Sequence, residues 1–231
     1  MLRTARPVVA HRHSEGERRS PLPHGAPSSV KIFDKYKTSR SLTSCPMNDR
    51  RQNHISIYTI GHSNRSWEDF IALLGKFAIR TVADIRSMPG SKKFPHFDRE
   101  NMEQALLDGG FKYVWLPKLG GLRRARKGFE SPNIGLTNPV FRAYADYMAT
   151  PEFQESVEEL LTSACESTTA IMCAEALYWR CHRRLVSDYL AAHNIEVLHI
   201  LGVNNLISHE MTEGAVITPE GYVLYPGANQ I

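Results

Sequence analysis

A chain of 231 residues with 42% apolar side chains has enough nonpolar surface for one buried core plus an appendage. No apolar run reaches the roughly 18 residues that a membrane-spanning helix requires, which excludes a helical membrane protein. The formal charge is +4, but residues 1–50 hold ten Lys/Arg against four Asp/Glu, leaving 18 against 20 for the rest. The basic balance therefore belongs to the N-terminal stretch, and net charge is no argument for a nucleic-acid-binding body. Four cysteines, Cys45, Cys165, Cys173 and Cys181, match no small disulfide scaffold and follow no secretory signal. They are expected to be reduced thiols in a cytoplasmic setting.

Residues 1–54 read as a disordered basic extension. Pro21, Pro23, Pro27, Ser28 and Ser29 sit among scattered arginines, with few large apolar side chains to bury. Met47 offers an alternative start close before the first strand. An organelle leader is a third reading, weakened by Glu15 and Glu17. Residues 55–231 form the body.

From Ile55 onward, short apolar runs alternate with amphipathic ones. That pattern predicts one α/β domain, a mostly parallel sheet of about five strands flanked by helices, Rossmann-like in class. The first strand is Ile57 to Ile60. Ser66 caps a helix that faces inward through Phe70, Ile71, Leu74 and Phe77. The second strand runs from Thr81 to Ile85. Asp98 opens a helix carrying Met102, Ala105 and Leu106, which stops at Gly109 and Gly110. The third strand spans Tyr113 to Leu116, and a Gly- and Arg-rich insertion fills 118–137. Asn138-Pro139 and Thr150-Pro151 start two further helices, the second buried through Phe153, Val157, Leu160 and Leu161. The fourth strand is Thr169 to Cys173. A helix from about Cys181 to His193 ends at Asn194, and the fifth strand is Glu196 to Ile200. The remainder is loop-like, with one hairpin around Gly221.

Ligands of open parallel sheets bind beyond the carboxyl ends of the strands. His62, Ser63 and Asn64 follow strand one, Asp84 and Arg86 close strand two, and Cys173 and Glu175 close strand four. Cys173 is either a small buried hydrophobe or a nucleophile. Glu175, two residues on, shares its face if the extended backbone continues. Cys181 lies near a helix start between Arg180 and Arg183, which favours thiolate, and His182 offers a general base. Arg86 and Arg183 would clamp an anion. Trp115, Tyr178 and Trp179 are candidates for stacking on a base, and Trp179 with Tyr178 is the stronger pair. Lys118, Arg123, Arg124, Arg126 and Lys127 could follow a phosphate backbone, or simply be solvated.

Zinc has the right atom types in Cys173, Cys181, His182 and His62. On a helix, however, adjacent Cys181 and His182 would point about 100° apart, and no C-x-x-C pair exists. No cofactor is therefore expected. The stretch from Cys173 to Arg180 also lacks the glycines of a phosphate-binding cysteine loop.

Several blocks resemble one bacterial family, known as domain of unknown function 488. They are Tyr58-Thr59-Ile60-Gly61-His62-Ser63-Asn64, Asp84-Ile85-Arg86, Met172-Cys173-Ala174-Glu175 and Trp179-Arg180-Cys181-His182-Arg183, with Phe141-Arg142, Tyr144 to Met148 and Pro151-Glu152-Phe153 between them. The resemblance covers about 57–200, with a later block around His209. It implies an α/β domain whose shared polar residues gather in one place, and it supplies no substrate.

Together these residues predict a cysteine-dependent hydrolase, transferase or redox enzyme for a small anionic or nucleotide-like substrate. Cys173, Glu175, Cys181, His182, Asp84 and His62 would be catalytic, and Ser63, Asn64, Arg86, Arg183 and Trp179 would bind substrate. A nucleic-acid module using the 118–127 loop is the alternative, and a metal-binding protein is the third. No membrane partner is expected, and the oligomeric state is open.

Overall fold

The computed structural model describes residues 55–90 and 92–227. The expectation for residues 1–54 lies outside them. Six strands form the main sheet: β1 (Ser56–Gly61), β2 (Thr81–Asp84), β3 (Lys112–Trp115), β4 (Thr169–Cys173), β5 (Glu196–Gly202) and β6 (Asn205–Ser208). Their order is β3-β2-β4-β1-β5-β6. The first five are parallel, and β6 folds back antiparallel on β5. The sequence pattern missed β6 because all four of its residues are exposed, so no buried face marks it. The C-terminal hairpin pairs β7 (Val216–Ile217) with β8 (Val223–Leu224), and Gly221 turns it at φ +88°.

Five helices cover the sheet: α1 (Trp67–Lys76), α2 (Arg99–Asp108), α3 (Pro139–Met148), α4 (Pro151–Glu166) and α5 (Arg183–Ala192). Three begin as their residues dictate. Ser66 Oγ accepts from Asp69 N at 3.0 Å, Asn138 Oδ1 from Val140 N at 2.9 Å, and Thr150 Oγ1 from Phe153 N at 3.4 Å. Proline stands at the first position of α3 and α4, where its missing N–H costs nothing. At the other end of α5, Asn194 takes φ +61°, a conformation asparagine tolerates better than most residues.

The core is double. Phe70, Leu73 and Leu74 of α1 and Met102 and Leu106 of α2 pack with Val82, Ala170 and Met172 on one face. Tyr144 of α3, Phe153 and Val157 of α4, and Leu185 and Val186 of α5 pack with Ala83, Ile171 and Cys173 on the other. Successive residues of β2 and β4 thus alternate between two apolar layers, and both strands are buried throughout. Such strands read as continuous apolar runs rather than alternating ones.

That arrangement fixes where a crevice opens. The chain leaves β1 and β2 for helices on one face and leaves β4 for α5 on the other. At β4, flanked by β1 and β2, the connections diverge, and the space between them is the usual ligand site of an open α/β sheet.

One cysteine departs from expectation. Cys173 and Cys181 are free thiols, but the partly buried Cys165 near the end of α4 is disulfide-bonded. Cys45 lies outside the described residues. No described helix is long and apolar enough to cross a membrane.

Candidate functional site: a dithiol cluster at the sheet edge

A cleft of about 1030 Å³ opens beyond the carboxyl ends of β1, β2 and β4. Its walls are His62, Ser63 and Asn64 after β1, Arg86 after β2, Gly121 and Leu122 of the long loop, and Phe141 of α3. Its floor is made by Cys173, Glu175, Arg180, Cys181 and His182.

The turn after β4 is clamped from both sides. The β1 ladder runs on into it: His62 N donates to Cys173 O and Ser63 N to Ala174 O, both at 3.0 Å. Gly61 is required there, because a Cβ at that position would stand 1.9 Å from Glu175 O. From below, the buried Arg183 guanidinium donates to the carbonyls of Glu175 and Ala176. Arg183 is therefore a latch under the loop and does not line the cleft. Ser63 adopts φ +50° at the rim, a strained conformation of the kind that collects at functional sites.

The thiols meet on this floor. Cys173 Sγ and Cys181 Sγ lie 2.9 Å apart, and His182 Nδ1 is 3.4 Å from Cys181 Sγ. Each sulfur also accepts from a backbone N–H two residues on, Glu175 N at 3.4 Å and Arg183 N at 3.5 Å. The hydrogen bond with Cys173 pulls the Cys181 thiol well below its usual range, outweighing burial, and His182 and Arg183 pull the same way. Cys173 is pushed well above its usual range by that bond and by burial. The two thiols are thus pushed in opposite directions, Cys181 toward the thiolate and Cys173 toward the protonated form.

The helical argument against a shared ligand role for Cys181 and His182 fails on geometry. Both precede α5. Cys181 is extended at φ −126°, ψ 154°, whereas His182 is helical at φ −59°, ψ −16°. Their side chains consequently converge, and ligand atoms of Cys173, Cys181 and His182 lie within 4.8 Å of one another. His62 stands apart from this group. The His182 ring is seated against Gly121, where a Cβ would fall 2.4 Å from Nδ1, and its Nε2 is buried without a partner.

The opposite wall is a closed ion-pair network. Asp84, fully buried, accepts from Arg86 Nε at 2.9 Å, from Arg86 NH2 at 2.6 Å and from Tyr113 OH at 2.7 Å. Arg86 NH1 reaches Phe97 O at 2.8 Å and His62 Nε2 at 3.2 Å. His62 Nδ1 is 3.0 Å from Ser63 O. A carbonyl only accepts, so the ring proton is on Nδ1 and the Nε2 lone pair faces Arg86. Burial first, and then Arg86, push the His62 pKa down to about 4. Its remaining lone pair is taken up by the contact with Arg86. Asp84 lies behind Arg86 and outside the cleft lining.

The remaining expected residues scatter. Glu175 lines the cleft although the strand ends at Cys173, and its Oε1 accepts from Leu177 N at 3.3 Å. Trp179 belongs to a neighbouring cleft of about 790 Å³, with Arg184 and Glu210. Tyr178 lays one ring face on His199, with centroids 3.5 Å apart and planes 6° from parallel. Trp115 donates to Arg86 O at 2.9 Å beneath the Arg99 guanidinium. In the loop, Lys118 pairs with Glu155 at 3.2 Å, and Arg123 covers the Tyr147 ring at 3.9 Å.

Sequence reasoning missed a second polar chain. Thr59 Oγ1 meets His199 Nδ1 at 2.7 Å, and His199 Nε2 meets His209 Nδ1 at 3.0 Å. His209 Nε2 then donates to Asp188 Oδ1 at 2.9 Å, and Tyr225 OH donates to Asp188 Oδ2 at 2.7 Å. The available signals were the later block around His209 and Asp188 on the apolar face of α5.

No curated protein and no solved structure matches the chain significantly. A family model described as "Domain of unknown function DUF488" matches residues 66–190, which take in α1 to α4, β2 to β4, Arg86 and the whole Cys173–Cys181–His182 cluster. The chain belongs to the DUF488 family.

Proposed function

We propose that the protein is an enzyme whose chemistry is run by Cys181 at the floor of the cleft, on a small anionic or nucleotide-like substrate. One observation carries this reading: a thiol polarised by a second thiol and by His182 lies at the base of a cleft large enough for a ligand. Cys181 Sγ would attack the electrophilic centre, with His182 and Glu175 moving protons at the leaving and entering atoms. Lys93 and Arg180 line the cleft against one carboxylate, Glu175, while Arg86 is paired with Asp84, and the balance favours an anion. His62 and Asp84 act by holding Arg86. Hydrolysis or group transfer by Cys181 is tested by turnover of phosphorylated and thioester substrates with wild type and Cys181→Ser, folding being checked by circular dichroism. Wild-type turnover lost in a folded Cys181→Ser chain is expected. Unchanged turnover in that variant overturns the reading.

The convergence of Cys173, Cys181 and His182 favours a second reading, a metal centre. Three ligands with the fourth position open to the cleft is the composition of a catalytic zinc site. Elemental analysis of protein purified without added metal decides it: about one zinc per chain, lost in Cys173→Ser, is the expected result of that reading.

A further inference from the structure

Two free thiols share the floor of the cleft with their sulfurs 2.9 Å apart. A disulfide bond is about 2.05 Å long, so forming one requires an approach of about 0.9 Å. The two backbones are not equally able to move. Cys173 is fixed in the sheet by pairing with Gly61. Cys181 lies between the 3-10 turn Tyr178–Arg180 and α5, in neither helix nor strand. Its extended backbone is held by two local hydrogen bonds, its N–H donating to Tyr178 O and its carbonyl accepting from Arg184 N, both at 3.1 Å, and by no strand ladder. The short approach therefore falls to Cys181.

We propose that Cys173 and Cys181 form an oxidation site: a peroxide entering the cleft converts them to an intramolecular disulfide, which withdraws the sulfur nucleophile from the site. The Cys181 sulfur attacks one peroxide oxygen and the O–O bond breaks. Cys181 becomes a sulfenic acid, and the first water leaves. The Cys173 sulfur then attacks the Cys181 sulfur, the S–O bond breaks, and the departing hydroxide leaves as the second water with the Cys173 proton. Two thiols lose two electrons and two protons in all, and the peroxide is reduced to two waters. A small-molecule dithiol reverses the reaction by exchange. The geometry favours this product over further oxidation, because the partner sulfur is already in contact when the sulfenic acid forms.

The inference concerns regulation of the thiol site proposed above and rests on that reading, but it is measured without any substrate. Full-length protein, treated with a chelator, is exposed to a small excess of hydrogen peroxide. Both thiols are expected to become resistant to alkylation. Trypsin then releases peptide 143–180, which also carries the Cys165 disulfide, newly joined to 181–183, with fragment ions placing the new link on Cys173. Dithiothreitol restores both thiols, and Cys173→Ser accumulates sulfenic and sulfinic acid on Cys181 instead. The proposal is overturned if wild type yields sulfinic acid on Cys181 with Cys173 still alkylatable, or if neither thiol reacts. A disulfide that forms in a protein without thiol-dependent turnover sinks the enzyme reading and leaves the oxidation site standing.

Discussion

Cys181 and Cys173 are chemically identical in sequence and opposite in the fold. They share one hydrogen bond, and their proton affinities are pushed in opposite directions. Iodoacetamide at mildly acidic pH should accordingly label Cys181 ahead of Cys173, as peptide mapping would show; equal labelling would contradict the assignment. Asp84 carries a different consequence. Asp84→Asn leaves the Arg86 guanidinium buried opposite a neutral amide, and stability should fall by about 3 kcal/mol in urea unfolding. A loss within about 0.5 kcal/mol would mean that Arg86 reaches water in the variant. The residue types at both sites were legible from position alone, since strand ends gather functional side chains. The opposite shifts of the two thiols were not, because they depend on a contact between residues eight positions apart across a turn.

Helix starts were the most legible elements, because their signals are local. Ser66, Asn138 and Thr150 each cap the helix their spacing predicts. Ser66→Ala should cost about 1 kcal/mol by thermal or urea unfolding, without altering the cleft. The long loop behaves in the opposite way. Its arginines suggested a phosphate track, yet what it brings to the cleft is Gly121, whose missing Cβ seats the His182 ring. Gly121→Ala should push that ring off Cys181 and slow Cys181 alkylation, while circular dichroism stays unchanged; an unaltered rate would show that the ring finds another route. The strand β6 was invisible because exposed residues carry no periodicity.

Two histidines link the whole molecule to pH. Burial and the neighbouring Arg86 hold His62 at about 4, and burial with His209 holds His199 at about 3, against 6.5 for an unfolded chain. Between those values the unfolded state binds protons that the native state refuses, so stability falls as pH falls below about 6.5. Each group contributes up to about 1.4 kcal/mol per pH unit in that window, and neither contributes a slope above about pH 7.5. Urea midpoints measured at neutral pH and near pH 5 should show the drop, and His199→Gln should flatten it. A midpoint that does not move would mean that both rings accept protons in the folded state. The effect is global because His199 and His209 tie β5 to Asp188 of α5 and, through Tyr225, to the C-terminal segment.

By itself the sequence determined the parallel α/β class, the helix caps and the clustering of polar residues at the ends of β1, β2 and β4, since all three follow from periodicity and local hydrogen bonding. It also carried the blocks that mark the family. Tertiary structure alone decided that Cys173, Cys181 and His182 converge, that Arg183 supports the loop from below, and that His62 is neutral and committed to Arg86. Those outcomes depend on contacts between residues 8 to 24 positions apart, which the sheet order and the turn after β4 set and no local pattern encodes.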